Sequence, residues 1–103
     1  MASPQLEGGY TRISNELIEA FLYKVTNSTW IRIFLLTCRL TYGFRRKEVE
    51  SNYQAYATKL GLTKDTIKCN MLDMMDRKII TLAVVSPERF VITINKDYEK
   101  WKI

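Results

Sequence analysis

The chain has 103 residues, 47% hydrophobic and 26% charged, with a formal net charge of +5 at pH 7 and a pI near 9.3. That length suits one domain with a single modest core, and the balance of apolar and charged residues excludes an intrinsically disordered chain. The positive charge suits a polyanionic partner, although many inert small proteins are equally basic.

Residues 1–9 carry Pro4, Gly8 and Gly9 without apolar periodicity, the pattern of a flexible arm. An extended piece, 10–13, leads to Ser14, a suitable N-cap. The helix after it is expected over 15–24, burying Leu17, Ile18, Phe21, Leu22 and Val25 at 3.6 spacing. Thr26, Asn27 and Ser28 break the pattern and offer a second cap. Over 29–42 the residues are apolar around most of a helix: Trp30, Ile31, Ile33, Phe34, Leu35, Leu36, Cys38 and Leu40. Such a helix belongs at the centre of its domain. Gly43 is expected to stop it. Its longest apolar run, 33–36, lies between Arg32 and Arg39 and is too short to cross a membrane.

Arg45, Arg46 and Lys47 form the densest positive cluster, within a segment, 44–50, that reads as a loop. The cluster is either a solvated loop or a phosphate contact set just ahead of the next helices.

Residues 53–80 are the stretch around which the rest is arranged. Tyr53, Tyr56, Ala57 and Leu60 make one apolar helical face, which Gly61 ends because glycine enters the left-handed conformation without steric cost. Thr63 caps a second helix whose inward stripe is Ile67, Met71 and Met74. The small Ala57 permits close helix crossing, and Ile67 fills the angle between the two helices. This is a helix-turn-helix pattern, whose second helix can enter a DNA major groove; an ordinary helical hairpin reads the same way. Two β-branched runs, 79–85 and 90–94, flank Ser86, Pro87, Glu88 and Arg89, which have turn chemistry. A hairpin directly after a helix-turn-helix makes a winged helix, so the expected fold is mainly α with a small β-hairpin. A hairpin that merely covers the core would look alike. The turn is short, with Arg89 as the wing's basic group. Asn95 begins a last segment, 95–103, where a short helix would set Tyr98 and Trp101 either on the core or against a second subunit.

Two passages go beyond this general pattern: GGYTRISNELIEA at 8–20 and RLTYGF at 39–44. Together with the helix-turn-helix, they resemble the N-terminal, origin-binding domain of the lambda-like bacteriophage replication protein O family. Gly9, Tyr10, Arg12, Asn15, Glu19 and Ala20 match the opening of that family. Arg39, Thr41, Tyr42, Gly43 and Phe44 match its Arg-x-Thr-Tyr-Gly-aromatic element, where Phe44 replaces a frequent Trp. The likeness spans about residues 8–94.

The resemblance implies an initiator domain that binds repeated origin sites on double-stranded DNA, usually as a homodimer. It also implies recruitment of a helicase or helicase loader through a C-terminal region for which these residues leave no room. The chain is thus expected to be either a piece of a longer initiator or a shortened relative, with an arm at 1–9 and a winged-helix DNA-binding domain at 10–103. Two positions depart from winged-helix usage. Asn70 points inward where a small apolar residue is common, and Lys78 stands where glycine often separates helix from strand.

On the second motif helix, Lys64, Asp65, Lys68, Cys69 and Leu72 should face outward, with Thr66 at the edge. Lys68 can donate to guanine O6 or N7, Asp65 can accept from cytosine N4, and Cys69 or Leu72 can touch a thymine methyl. Over 64–77 the charges cancel, so general attraction would come from Arg45, Arg46, Lys47, Lys59 and Arg89. A neutral recognition face also fits a protein-interaction adaptor of the replication machinery, and a transcriptional regulator would share the fold. Catalysis is the least favoured reading. There is no histidine, no Walker-type glycine loop and no clustered acidic set, so neither catalytic residues nor a cofactor or metal is expected. Cys38 and Cys69 lack metal-type spacing and point to a reducing, cytoplasmic setting, and no signal-peptide plan opens the sequence.

Overall fold

The computed structural model describes Ala2 and residues 9–103; apart from Ala2 and Gly9, the expected arm at 1–9 lies outside the described residues. The helix α1 (Asn15–Lys24) starts where Ser14 accepts from Leu17 N through its side chain. Its buried residues are Leu17, Ala20 and Phe21, with Val25 at its end. Ile18 and Leu22, expected inside, are exposed. The buried stripe is rotated toward Ala20.

The second helix, α2 (Ser28–Thr41), is capped by Asn27, whose Oδ1 accepts from Thr29 N and Trp30 N. It is the central helix, burying Trp30, Ile33, Phe34, Thr37, Cys38 and Thr41, although Leu35 faces solvent. The rings of Phe21 and Phe34 stack at 3.6 Å between centroids, and Trp101 meets Phe21 edge-on at 5.0 Å. Gly43 does not end α2 by a left-handed turn. The chain continues through a short 3-10 helix, Tyr42–Phe44, and it is Arg45 that turns left-handed at φ 58.

The loop expected over 44–50 is half strand. The strand β1 (Glu48–Asn52) pairs antiparallel with β3 (Arg89–Ile94), which also pairs antiparallel with β2 (Ile80–Val84). The result is a three-stranded sheet in the order β1-β3-β2 rather than a bare hairpin. The central strand sends Phe90, Ile92 and Ile94 into the core on alternate positions, the period-2 pattern of a strand with one buried face.

Between β1 and β2 lie α3 (Tyr53–Leu60) and α4 (Lys64–Asp76). Asn52 caps α3 by accepting from Ala55 N, and Gly61 ends it at φ 68. Thr63 caps α4 through Thr66 N. The expected inward stripe is fully buried: Ile67, Met71 and Met74 are each 0% exposed.

At the other end of α4, Lys78 takes the left-handed conformation that glycine usually supplies, at φ 62. Lys78 N bonds Met75 O and Ile79 N bonds Met74 O, each at 3.0 Å. That pair of bonds satisfies the last carbonyls of the helix as a Schellman ending does. The junction keeps the conformation and changes only the residue. The C-terminal segment forms a 3-10 turn, Tyr98–Lys100, rather than a helix from Asn95. Trp101 packs back onto the core and donates from Nε1 to Asn95 O at 2.8 Å.

Candidate nucleic-acid interface

The sheet register fixes where each sequence-identified basic residue stands. Asn52 pairs with Arg89 and Val84 with Phe90, so the 85–88 turn caps one end of the sheet. Glu48 pairs with Thr93, and Thr93 with Thr81, at the other end. Lys64, at the start of α4, forms an ion pair with Glu88 of the turn at 3.2 Å. The N-terminal half of α4 therefore sits beside the hairpin turn. Arg45, Arg46 and Lys47 precede Glu48 at the opposite end of β1, which spans about 13 Å at a strand rise of roughly 3.3 Å per residue. The structure gathers the recognition helix with the turn and leaves the densest basic cluster apart from both.

On α4 the expected outward residues are outward. Lys64, Asp65, Lys68, Cys69 and Leu72 are exposed and Thr66 is half-buried. Their stance depends on the opposite face of the helix. The buried stripe anchors α4, and Asn70 adds a directional link that the sequence left open. Trp30 Nε1 donates to Asn70 Oδ1 at 3.1 Å, and Asn70 Nδ2 donates to Thr66 O at 2.8 Å. The inward amide is thus satisfied at both ends, which removes the desolvation cost of an unpaired polar group.

Not all the basic groups are available on equal terms. Arg89 donates to Glu50 Oε2 from Nε at 3.2 Å and from Nη2 at 2.7 Å, so the wing's basic group is already paired across the sheet. Lys68 has its ammonium 5.8 Å from the centre of the Tyr53 ring, which orients it without neutralising it. Arg46 lies 5.3 Å from the centre of the Phe44 ring. Thr66 Oγ1 shares a hydrogen bond with Thr63 Oγ1 at 2.8 Å. Exposed Cys69 carries a free thiol, whereas burial pushes the Cys38 thiol up to about 12. Among the described residues, no group of three or more His, Cys, Asp and Glu could hold a metal ion, and no helix is long and apolar enough to cross a membrane.

The model of the family described as bacteriophage replication protein O matches residues 3–101. The chain belongs to the bacteriophage replication protein O family. Membership of that family ties it to phage DNA replication. The chain is also similar to the DNA replication protein gp18 of Salmonella phage P22, at 26% identity over 98 residues. That match covers 95% of this chain and 34% of the relative, so the chain spans about a third of the length of that replication protein. No solved structure matches the chain.

Two structural features of the candidate interface have no local signal in the sequence. One is the Arg89–Glu50 pair, formed between residues 39 apart in the chain, for which no local signal exists. The other is the meeting of the two family-like passages. Tyr10 and Arg12 from the first line one cleft with Arg39, Tyr42 and Gly43 from the second. Their proximity was legible only as two separate matches.

Proposed function

We propose that this chain is a winged helix-turn-helix that binds double-stranded DNA sequence-specifically at a phage or prophage replication origin. The order α2-β1-α3-α4-β2-β3 with the sheet order β1-β3-β2 supports the fold reading. The observation that carries the functional reading is the division of α4 between two faces. Ile67, Met71 and Met74 are fully buried while Lys64, Asp65, Lys68, Cys69 and Leu72 are exposed, with Lys64 beside the hairpin turn. A helix rooted this firmly on one side presents its other side as a rigid reading edge.

In this reading Lys68 donates to a guanine edge or a phosphate, Asp65 accepts from a cytosine amine, Thr66 bonds at the edge, and Cys69 meets a thymine methyl. Lys64 competes between Glu88 and a phosphate. Arg45, Arg46 and Lys47 supply attraction from the far end of the sheet. Arg89 can join them only by leaving Glu50. Each good base contact contributes about 1–3 kcal/mol of discrimination, so one domain discriminates modestly, and a homodimer on repeated half-sites supplies the rest. Recruitment of a helicase or loader falls to residues outside this chain. The setting is the cytoplasm of the bacterial host.

A gel-shift titration against origin repeats and scrambled duplex at physiological salt tests the proposal. Tighter binding to the repeats is expected, with Lys68→Ala reducing the ratio about 5- to 100-fold, the equivalent of one base contact. Equal affinity for scrambled duplex would sink the specificity claim. One observation favours a second reading, an adaptor that binds a replication protein: over Lys64–Asp76, two lysines face three aspartates. Retention of a replication partner by Lys64→Ala/Lys68→Ala, together with absent DNA binding by the unmodified chain, would select it.

A further inference from the structure

Arg12, Arg39 and Arg45 line a cleft of about 500 Å³ together with Tyr10, Tyr42 and Gly43. Among the described residues no carboxylate lines it, and none of the ion pairs involves these three arginines. Three guanidiniums converging with no acidic partner among the described residues repel one another, so the cleft favours an anion that can bridge them.

Arg39 is held in place by means that leave its charge intact. Its guanidinium lies 4.9 Å from the centre of the Phe44 ring. It also lies against Gly43, where a Cβ would come 2.9 Å from Arg39 Nη1 and 3.1 Å from Thr11 Oγ1. Glycine is therefore used at 43 for close approach, not for a turn. Arg45, by contrast, holds a left-handed φ of 58, which glycine would adopt more cheaply. The chain keeps an arginine side chain there despite that cost. A charged group ordered in advance loses less entropy when its ligand arrives.

We propose that this cleft binds the phosphodiester backbone of a nucleic acid, at a site separate from the reading edge of α4. The inference rests on the DNA-binding reading above and adds to it the place where the backbone is held. Arg45 precedes β1, which spans about 13 Å by the strand rise from Glu48 to Asn52, beside the turn that abuts Lys64. At roughly 3.4 Å per phosphate along one strand of B-DNA, the length of β1 alone corresponds to about four base pairs. The phosphates gripped by the cleft belong either to duplex flanking the sequence read by α4 or to an unpaired strand; the chemistry of recognition is the same.

The test compares the unmodified chain with Arg12→Gln/Arg39→Gln/Arg45→Gln across a salt titration. The probes are a long duplex carrying an origin repeat, the same duplex trimmed to that repeat, a scrambled long duplex, and oligo-dT. On the long duplexes the variant should bind about 10- to 100-fold more weakly near 0.15 M salt, with the slope of log K against log salt smaller by about 2–3. The preference for repeat over scrambled sequence should be unchanged, and the trimmed duplex should lose little. Loss confined to oligo-dT supports the cleft with the unpaired strand as its source. Arg12→Gln/Arg45→Gln, which leaves Arg39 packed on Phe44, should show about two-thirds of the slope change and guards against a folding defect. Equal affinities and slopes for both proteins on all four probes overturn the proposal. Should the unmodified chain show no sequence preference, the α4 reading fails, while a difference in slope still supports the cleft.

Discussion

The hydrogen bond between Thr37 and Tyr56 joins the central helix α2 to α3 inside the core, and its removal has a directional consequence. Thr37 Oγ1 donates its one proton to Ile33 O at 2.8 Å. At the 2.7 Å contact between Thr37 Oγ1 and Tyr56 Oη, Tyr56 must therefore be the donor. Both side chains are 0% exposed, so water cannot replace either partner. Tyr56→Phe removes the donor and leaves Thr37 still bonded to Ile33, at a cost of about 1 kcal/mol. Thr37→Val keeps the shape but strands a buried O–H with no acceptor, at a cost of about 1–3 kcal/mol. The double variant strands nothing and should cost no more than Tyr56→Phe alone by more than about 0.5 kcal/mol. Urea unfolding followed by far-UV circular dichroism, with unchanged m values, measures all three. In thermal scans each 1 kcal/mol corresponds to about 4–8 °C in a domain of this size. Strictly additive losses, or a Thr37→Val variant more stable than Tyr56→Phe, would refute the assigned direction of donation.

Five further outcomes follow from the geometry. Gly61→Ala at φ 68 should cost about 1–2 kcal/mol, although its Cβ would meet nothing within 4 Å, because the strain is in the backbone. Lys78→Gly, at φ 62, should instead stabilise by up to about 1 kcal/mol; denaturant midpoints report both. Asn70→Ala leaves the indole N–H of Trp30 without its partner and should cost about 1–2 kcal/mol; Asn70→Asp keeps that acceptor but sets a carboxylate oxygen against Thr66 O, to which Asn70 Nδ2 donates at 2.8 Å, and should not restore stability. In a thiol-reagent titration, exposed Cys69 should react at once and Cys38, buried and pushed up to about 12, only on unfolding; origin DNA should protect Cys69. Burial likewise lifts Tyr56 from 10.0 to about 12. The folded chain holds both protons more tightly than the unfolded chain does, so their contribution is complete below about pH 9 and fades as pH rises toward 12. A melting temperature flat from pH 7 to 11 would contradict it.

How far the structure could be read from the residues depended on the range of the interaction behind each feature. Ser14, Thr63 and Gly61 act within one helical turn, and the helix boundaries they set match the observed ones. The outward row on α4 followed from 3.6 periodicity alone. β1 was missed because Glu48, Glu50, Ser51 and Asn52 are poor strand formers in isolation; the strand exists because β3 pairs with it from some 40 residues downstream. The only local trace was Val49 alternating between two glutamates. Ile18 and Leu22 fit the helical stripe as well as Ala20 does, and only the position of α2 decides which of them is covered. Gly43 looked like a helix stop because glycine usually is one, whereas here its lack of a Cβ serves the approach of Arg39 and Thr11. The candidate site divides the same way. The reading edge was local and legible, while the engagement of Arg89 with Glu50 and the distance of Arg45 from Lys64 depended on the sheet.

That division bears on how this chain would balance affinity against selectivity. Between Lys64 and Asp76 the two lysines are outnumbered by three aspartates, and Lys64 already has Glu88 beside it. A helix so charged gains little from bulk attraction to phosphate, and what it gains from DNA must come from matched base edges. The unpaired arginines stand at the other end of the sheet, where counterion release would favour any sequence equally. With the two terms on separate surfaces, substitutions in the cleft should shift specific and non-specific binding together. Those on the exposed edge of α4 should shift their ratio. On the proposed reading, an initiator domain arranged in this way would tolerate weak reading by each copy, because the backbone grip would supply the residence on DNA while adjacent copies on repeated sites would supply the selectivity. Were α4 to carry both terms, Lys68→Ala would lower the salt slope and the sequence preference in step, and the separation of surfaces argued here predicts that it does not.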